Sequence, residues 1–352
     1  MNKKIVALAV AAAFAIPAAA SAQVTLFGQF KYEVGAIQAN VFEEVETGVI
    51  GEDGVPVTER QIVDDERNAV HSTLGTRIGI RGSEDLGGGL TAIFRFQGSP
   101  GGVNQSLGSS SWDFNEENWV GLQGAFGTIQ LGRSDTAFKK GQTRFRVFPD
   151  SLADQTTRPA SFGRAEGVHY SSPSFNGVTV NATVEPNGNE FDSYWALGVN
   201  YVAGPLFVGA AVESAEDTGL YQGGGKDIVP DNTNWQIGAN YTWNDLTVGV
   251  LYQDIDDISE WVTLPVTYQL GNVQLRAALQ YRDNDTSEFT EELGVSGEDG
   301  WNYALGVGYN FSSRTEAFAH LWYDGEAGVR STPGAGGLLE ETQFGLGLRH
   351  SF

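Results

Sequence analysis

The chain of 352 residues contains no cysteine, one methionine and only four histidines. The absence of cysteine excludes disulfides, thiolate nucleophiles and cysteine-ligated zinc or iron–sulfur sites. The histidines show no metal-ligand spacing, and the sequence has no Gly-x-Ser-x-Gly elbow and no phosphate-binding loop. We therefore predict a protein that is not an enzyme, with no catalytic residues and no cofactor.

Basic residues are also scarce. The chain has 21 Lys and Arg against 44 Asp and Glu, a formal net charge of −23 and a pI near 4.4. A nucleic-acid partner is excluded by this balance, because binding to phosphates needs a basic surface. The composition is nevertheless 41% hydrophobic and 11% aromatic, which is too apolar for a disordered acidic chain.

Long hydrophobic runs are missing except at the amino terminus. Lys3 and Lys4 precede an apolar run at 5–20, and Ala20-Ser21-Ala22 follows as a small-residue cleavage site. This pattern predicts a secretory signal peptide at 1–22 and one mature domain at 23–352. A membrane anchor is the alternative, although the run is short for a spanning helix and contains a proline. Removing two lysines leaves 19 − 44 = −25 charges.

The mature sequence shows period-two alternation in many segments of about ten residues. At 301–311, for example, Trp, Tyr, Leu, Val, Tyr and Phe alternate with Asn, Ala and Gly. Alternation puts one set of side chains on each face of a strand, and it fits both a soluble sandwich and a membrane barrel. Strand lengths suited to crossing a bilayer, aromatic residues near strand ends, and connections that alternate between short and long favour the barrel.

Sixteen strands are predicted, joined by seven short turns and eight longer loops. An even number of antiparallel strands with both ends on one side is what a closed transmembrane β-barrel requires, and sixteen strands enclose an aqueous channel. The longest predicted loops lie at 38–73, 98–117 and 134–164. The predicted strands are 24–37, 74–83, 90–97, 118–125, 128–133, 165–171, 178–185, 193–201, 206–213, 232–242, 246–254, 260–270, 273–282, 300–311, 314–323 and 341–352.

Four stretches together resemble a known family. They are the Gly-Ser-Glu-Asp-Leu-Gly-Gly-Gly-Leu turn and following strand at 82–97, the hairpin at 119–133, the Tyr-Ser-Ser-Pro-Ser-Phe-Asn-Gly turn at 170–177, and the final strand at 345–352. Over essentially the whole mature chain, the sequence resembles the trimeric general-diffusion porins of Gram-negative outer membranes, most closely the neisserial and β-proteobacterial type.

The resemblance implies an outer-membrane channel for passive diffusion of ions and small hydrophilic solutes. It implies a homotrimer with one pore per monomer, surrounded by outer-membrane lipid and lipopolysaccharide. It also implies that the third loop, at 134–163, folds into the lumen and forms a constriction. In the family an Arg usually opens the next strand. Here Gly163 occupies that place and Arg164 follows it, which leaves the direction of Arg164 open.

Positive charge gathers in the middle of this acidic chain. Residues 77–164 hold ten of the nineteen mature Lys and Arg and eight acids, a balance of +2. Charged rings set ion preference in pores, so we predict a weak anion preference at the constriction. The alternative is that the arginines pair with loop acids and only hold the loop. The predicted constriction residues are Arg77, Arg81, Arg95, Arg133, Asp150, Asp154 and Arg164, with Lys139, Lys140, Arg144 and Arg146 as further candidates.

The acids concentrate in other loops, at 43–66, 254–260 and 283–299. We interpret them as a solvated outer rim, with weak surface binding of Ca²⁺ or Mg²⁺ as the alternative. Such a rim opposes anion entry until salt screens it. Two further functions stay open: a substrate-selective outer-membrane channel, and a closed barrel whose acidic loops bind surfaces or ions.

Overall fold

A computed structural model describes residues 23–50, 56–72, 75–100, 112–114, 116–154, 163–187, 190–215, 232–256, 259–284, 299–325 and 338–352. Its strands are β1 Gln23–Ile50, β2 Pro56–Ser72, β3 Arg77–Gly87, β4 Leu90–Pro100, β5 Trp112–Asp113, β6 Asn118–Gly124, β7 Gly127–Asp135, β8 Arg164–Ser171, β9 Val178–Asn187, β10 Glu190–Ala203, β11 Leu206–Ala215, β12 Asn232–Trp243, β13 Leu246–Ile255, β14 Ser259–Leu270, β15 Val273–Asn284, β16 Gly300–Asn310, β17 Thr315–Asp324 and β18 Leu338–Ser351. Helix α1 spans Ala137–Gln142, and a 3-10 turn follows at Thr143–Phe145.

All of these strands pair antiparallel in one closed barrel. β1 pairs with β18 on one side and with β2 and β3 on the other, where β2 and β3 lie end to end along it. The two-residue β5 only extends the edge of β4, and β4 pairs directly with β6. Eighteen described strands therefore make 18 − 2 = 16 positions around the barrel, which confirms the predicted sixteen-stranded all-β architecture.

The two faces of the wall differ as the alternation predicts. On β16, Trp301 and Leu305 are each 53% exposed, whereas their neighbours Asn302 and Ala304 are fully buried. Buried polar side chains recur on the inner face of other strands, as at Gln253 and Gln280. An apolar outside around a polar inside is the arrangement of a barrel that faces lipid and encloses water. Among the described residues, no helix is long and apolar enough to span a membrane.

The prediction of a loop at 38–73 is wrong. β1 continues to Ile50, and β2 covers Pro56–Ser72 in continuous antiparallel register with it. The sequence there is rich in acids and lacks the alternation of the other strands. A hairpin that extends beyond the bilayer into water needs no apolar face, so its ladder forms without the pattern that identifies a membrane strand. The predicted signal peptide at 1–22 lies outside the described residues.

The segment after β7 packs against inward-facing side chains of one half of the barrel, through three small apolar clusters. Thr136 caps α1 by accepting a hydrogen bond from the Lys139 N–H at 3.1 Å. The buried clusters are Ala137 and Phe138 with Ala165, Tyr194, Ala196 and Ala211; Phe145 with Phe207 and Leu251; and Phe148 and Ala153 with Ala278, Ala304 and Trp322. The segment thus contacts strands from β8 to β17 in sequence.

Candidate functional site

The far end of this segment, at 148–154, is fastened to β1. Lys31 Nζ donates hydrogen bonds to the carbonyl oxygens of Pro149 (3.3 Å) and Asp150. The buried Glu33 carboxylate accepts from the Leu152 N–H at 3.2 Å and is hydrogen-bonded to His320 Nε2 on β17. Two neighbouring inward-facing residues of one strand therefore hold the main chain of the tip.

Two aspartates of the tip bind two arginines. Asp150 pairs with Arg77 on β3 and lies 3.5 Å from Arg146. Asp154 is held by Arg146 through both carboxylate oxygens, with Arg146 Nε at 3.2 Å from Oδ1, and it accepts the Asp150 N–H at 3.0 Å. The backbone of Asp150 has a positive φ of 58°, a conformation that Asp and Asn tolerate better than most residues. The tip is thus a compact turn with charges fixed on its surface.

The Asp150 carboxyl is strongly acidic. Burial raises its pKa, but the positive charges of Arg77, Arg146 and Lys31 outweigh burial and bring the pKa to about 2. Burial likewise lowers the pKa of Arg146, and the carboxylates of Asp154 and Asp150 more than reverse this. The ion pairs of the tip therefore persist at any pH near neutral.

A second group of charges lies beside Arg77. Glu116 is 4.0 Å from Arg77 and 3.3 Å from Arg164. Arg164 Nε also contacts Asp135 at 3.0 Å, and Asp135 pairs with Lys139 of α1 at 2.7 Å. Arg164 therefore points toward the same acids as Arg77, since both contact Glu116. Gly163, directly before it, has a φ of 90°.

Arg81 and Arg95 face each other across the β3–β4 ladder on the inner side of the wall. Their guanidinium carbons lie 5.2 Å and 4.9 Å from the centre of the Phe27 ring. Arg95 also pairs with Glu117 at 2.8 Å. Together with Arg77 they form a vertical row on the inner face, as the strand parity predicts.

Arg133 has a different position from the other predicted residues. It shares the parity of Leu131, whose side chain is 53% exposed, whereas the neighbouring Ser134 is buried on the inner side. Arg133 lies opposite Glu166 in the β7–β8 ladder, whereas the acids beside Arg77 are Glu116 and Asp150. The structure therefore brings Arg77, Asp150, Asp154 and Arg164 together and leaves Arg133 on the other face.

The charges of this inner group do not cancel. The six described carboxylates, Glu33, Glu116, Glu117, Asp135, Asp150 and Asp154, each contact at least one Arg, Lys or His side chain. Among the described cations of this group, four have no carboxylate contact. Lys31 binds main-chain oxygens of the tip instead, and the others are Arg81, Lys140 and Arg144, the last placed 4.7 Å from the Phe207 ring centre. The excess charge of the group is positive.

Sequence reasoning missed five residues of the site: Lys31, Glu33, Glu116, Glu117 and His320. Lys31 and Glu33 both occupy polar positions in the alternating pattern of β1, and this pattern indicates that their side chains point inward. Glu116 and Glu117 lie between strands, where parity carries no information. No group of three His, Cys, Asp or Glu able to hold a metal ion occurs among the described residues.

Comparison with known proteins gives a consistent result. A family model described as Gram-negative porin matches residues 7–326. Major outer membrane protein P.IB of Neisseria sicca is 28% identical over 395 aligned residues, which cover 100% of both chains. An anion-selective porin from Comamonas acidovorans matches 94% of this chain and 100% of its own, with a TM-score of 0.67 and 20% identity. The trimer form of OmpT of Vibrio cholerae matches 94% and 99%, with a TM-score of 0.60 and 17% identity.

Proposed function

The chain belongs to the Gram-negative porin family, and on this premise we propose how its channel is narrowed and which ions it prefers. It is an outer-membrane porin, a water-filled β-barrel for passive diffusion of ions and small hydrophilic solutes, and not an enzyme. The proposal concerns the segment at 134–163 and the charged residues around it.

We assign the constriction to this segment. Its described part, from Ser134 to Asp154, contacts inward-facing side chains of β8–β17 through Phe138, Phe145 and Phe148. The tip then reaches β1 and β3, where Lys31 and Arg77 bind Asp150. A segment fastened at both ends across the inside of a barrel reduces its open cross-section. Water and ions then pass between the segment and the wall that carries Arg81 and Arg95.

An anion preference follows from the unpaired cations. Since each described carboxylate of the group already contacts a cation, the net field comes from the cations without a carboxylate contact, which are Lys31, Arg81, Lys140 and Arg144. Fixed charge in a confined pore raises the local concentration of the opposite ion. The Comamonas structure is named as an anion-selective porin, which supports the same preference here. Arg77 and Arg95 each form an ion pair with a neighbouring acid, and both belong to the row of arginines on the inner face. The same row can therefore hold the segment in place and contribute to the electric field in the pore.

The assembly we propose is a homotrimer in outer-membrane lipid and lipopolysaccharide, formed by 23–352 after removal of a signal peptide at 1–22. The OmpT match in a trimer form supports three barrels per molecule. We expect each barrel to conduct separately.

Reconstitution in planar bilayers tests the proposal. We expect current steps in groups of three in symmetric KCl, and in a salt gradient a reversal potential with the sign of anion preference. A double variant, Arg81→Gln with Arg144→Gln, should move that potential toward cations, because it removes two of the four cations that have no carboxylate contact. Arg314→Gln, in the exposed turn before β17, is the matched control and should leave it unchanged.

Two results would contradict the proposal. Cation preference of the native channel would refute the assignment of the net field. A folded barrel that conducts no current would favour the closed barrel whose acidic loops bind surfaces or ions.

A further inference from the structure

An open pocket of about 380 Å³ lies in the wall where β1, β3, β4 and β6 adjoin. Its lining includes Thr25, Arg81, Ile93, Arg95 and Trp119. These residues lie outside the three apolar clusters that the segment at 134–154 makes with the wall.

The pocket concentrates positive charge. Arg81 and Arg95 occupy opposed positions of the β3–β4 ladder, both over the Phe27 ring. Like charges directly opposite each other on a sheet are destabilising, and a bound anion between them removes that cost. Arg95 has Glu117 at 2.8 Å, whereas Arg81 has no carboxylate partner among the described residues. The pocket thus has one guanidinium ready to bind an acid group and a second beside it.

Trp119 lies beside the two guanidiniums, because it is the ladder partner of Arg95 and lines the same pocket. Its indole Nε1 is buried and donates no hydrogen bond within the described structure, so the pocket is bordered by the apolar part of the ring and not by this donor.

The same pocket has an apolar part, which is unusual on the inner wall of a water-filled barrel. Ile93 and the indole of Trp119 line it, and the Phe27 ring lies beneath the two guanidiniums. Planar rings pack well on such surfaces and on guanidinium planes. A small inorganic anion or acetate would bind only the guanidinium groups, and the apolar surface would stay in contact with water.

We infer that this pocket is a binding subsite for small aromatic carboxylates, whose acid group binds Arg81 while the ring covers Ile93 and the indole of Trp119. The inference rests on the proposed channel function, because the ligand enters through the lumen. It assigns the barrel a preferred solute class and a weak site beside the constriction.

Saturation-transfer NMR on the full-length protein in detergent tests the subsite with benzoate as probe. Acetate controls for the ring and benzamide for the charge. We expect benzoate to bind at least about tenfold more tightly than either, since it alone makes both kinds of contact. Arg81→Gln should weaken benzoate binding about tenfold or more, because it removes the charge that binds the acid group.

Arg144→Gln is the matched control, because Arg144 is a second cation without a carboxylate contact but lies over Phe207, away from the pocket. It should leave benzoate binding within about twofold of the native value, while it lowers the anion preference measured in bilayers. Far-UV circular dichroism checks that each variant keeps its barrel.

The outcomes separate this inference from the channel function. Equal binding of benzoate and acetate, or an unchanged affinity in Arg81→Gln, overturns the subsite even when the channel conducts with anion preference. A barrel that binds benzoate through Arg81 but passes no current supports the subsite and refutes the channel proposal. Stepwise current blockade by benzoate, lost in Arg81→Gln, supports both.

Discussion

At the residue scale, Asp150 joins the charge row to the tip of the third loop. Its carboxylate binds Arg77, and its main-chain oxygen accepts from Lys31. Asp150→Asn keeps a side chain that tolerates the positive φ of 58° while it removes the charge. We expect a loss of about 1–2 kcal/mol in docking of the tip and a stronger anion preference, because Arg77 loses the nearer of its two counter-charges. Reversal potentials in a salt gradient measure the second effect.

The low pKa of Asp150 predicts a specific pH dependence. An aspartate whose pKa falls on folding stabilises the folded state above its unfolded value near 4, and this contribution is lost as pH falls toward about 2. The native channel and Asp150→Asn should therefore differ in reversal potential at pH 7 and at pH 5. The difference should persist at pH 4 and fade only as the pH falls through about 2, because the folded channel loses the Asp150 charge there. A difference that is already gone at pH 4 would contradict the assigned ion pair.

The alternation of inward and outward side chains along a strand explains which residues of the site could be predicted. Arg77, Arg81 and Arg95 lie on the inner face because each occupies the polar position of a regular strand. The same rule puts Arg133 beside the outward Leu131, so its inclusion in the predicted site followed from sequence proximity to the loop and not from parity. The direction of Arg164 depends on the φ of 90° at Gly163, which period-two reasoning does not describe.

At the element scale, the third loop is held by aromatic anchors. The Phe148 ring packs with Trp322 and lies so close to Gly306 that a Cβ there would come within 2.6 Å of it. Phe148→Ala should cost roughly 3–5 kcal/mol of docking energy and release the tip. We expect a larger and noisier single-channel current, while the barrel itself stays folded.

Phe311→Ala is the control for this prediction, because Phe311 is 63% exposed on the outer side of the turn after β16. It should conduct like the native protein. Current noise that is the same in Phe148→Ala and in the native channel would show that the tip is held by its charges alone.

Most strands were predictable because lipid imposes alternation on them. β16, for instance, keeps an apolar residue at each outward position from Trp301 to Tyr309. The hairpin of β1 and β2 was not predictable, since its far part is rich in acids and lacks the alternation. The helix α1 was also missed: with six residues it is too short for a helical period to register, and its capping by Thr136 and burial of Phe138 decide its place.

At the scale of the whole molecule, the net charge and the inner field have opposite signs. The chain carries a formal net charge of −23, while the described inner group has an excess of cations. The Debye length falls from about 30 Å at 0.01 M salt to about 3 Å at 1 M, so exposed acids are screened before confined charges are. We expect the anion-to-cation permeability ratio to rise with mean salt concentration at a fixed gradient ratio. A ratio that falls steadily would mean that the inner field is screened first.

The pairing of β1 with β18, which closes the barrel, restricts the order in which the protein can fold. Gly28 and Phe352 exchange main-chain hydrogen bonds of 3.1 Å and 3.0 Å, so the first described strand is completed by a residue more than three hundred positions away. Until that pairing forms, β1 and β18 are open edges, and every apolar outward residue faces water. Closure between such distant positions is slow and cannot proceed vectorially during synthesis. The barrel can therefore close only after the last residues of the chain have been made, because Phe352 completes the pairing of β1.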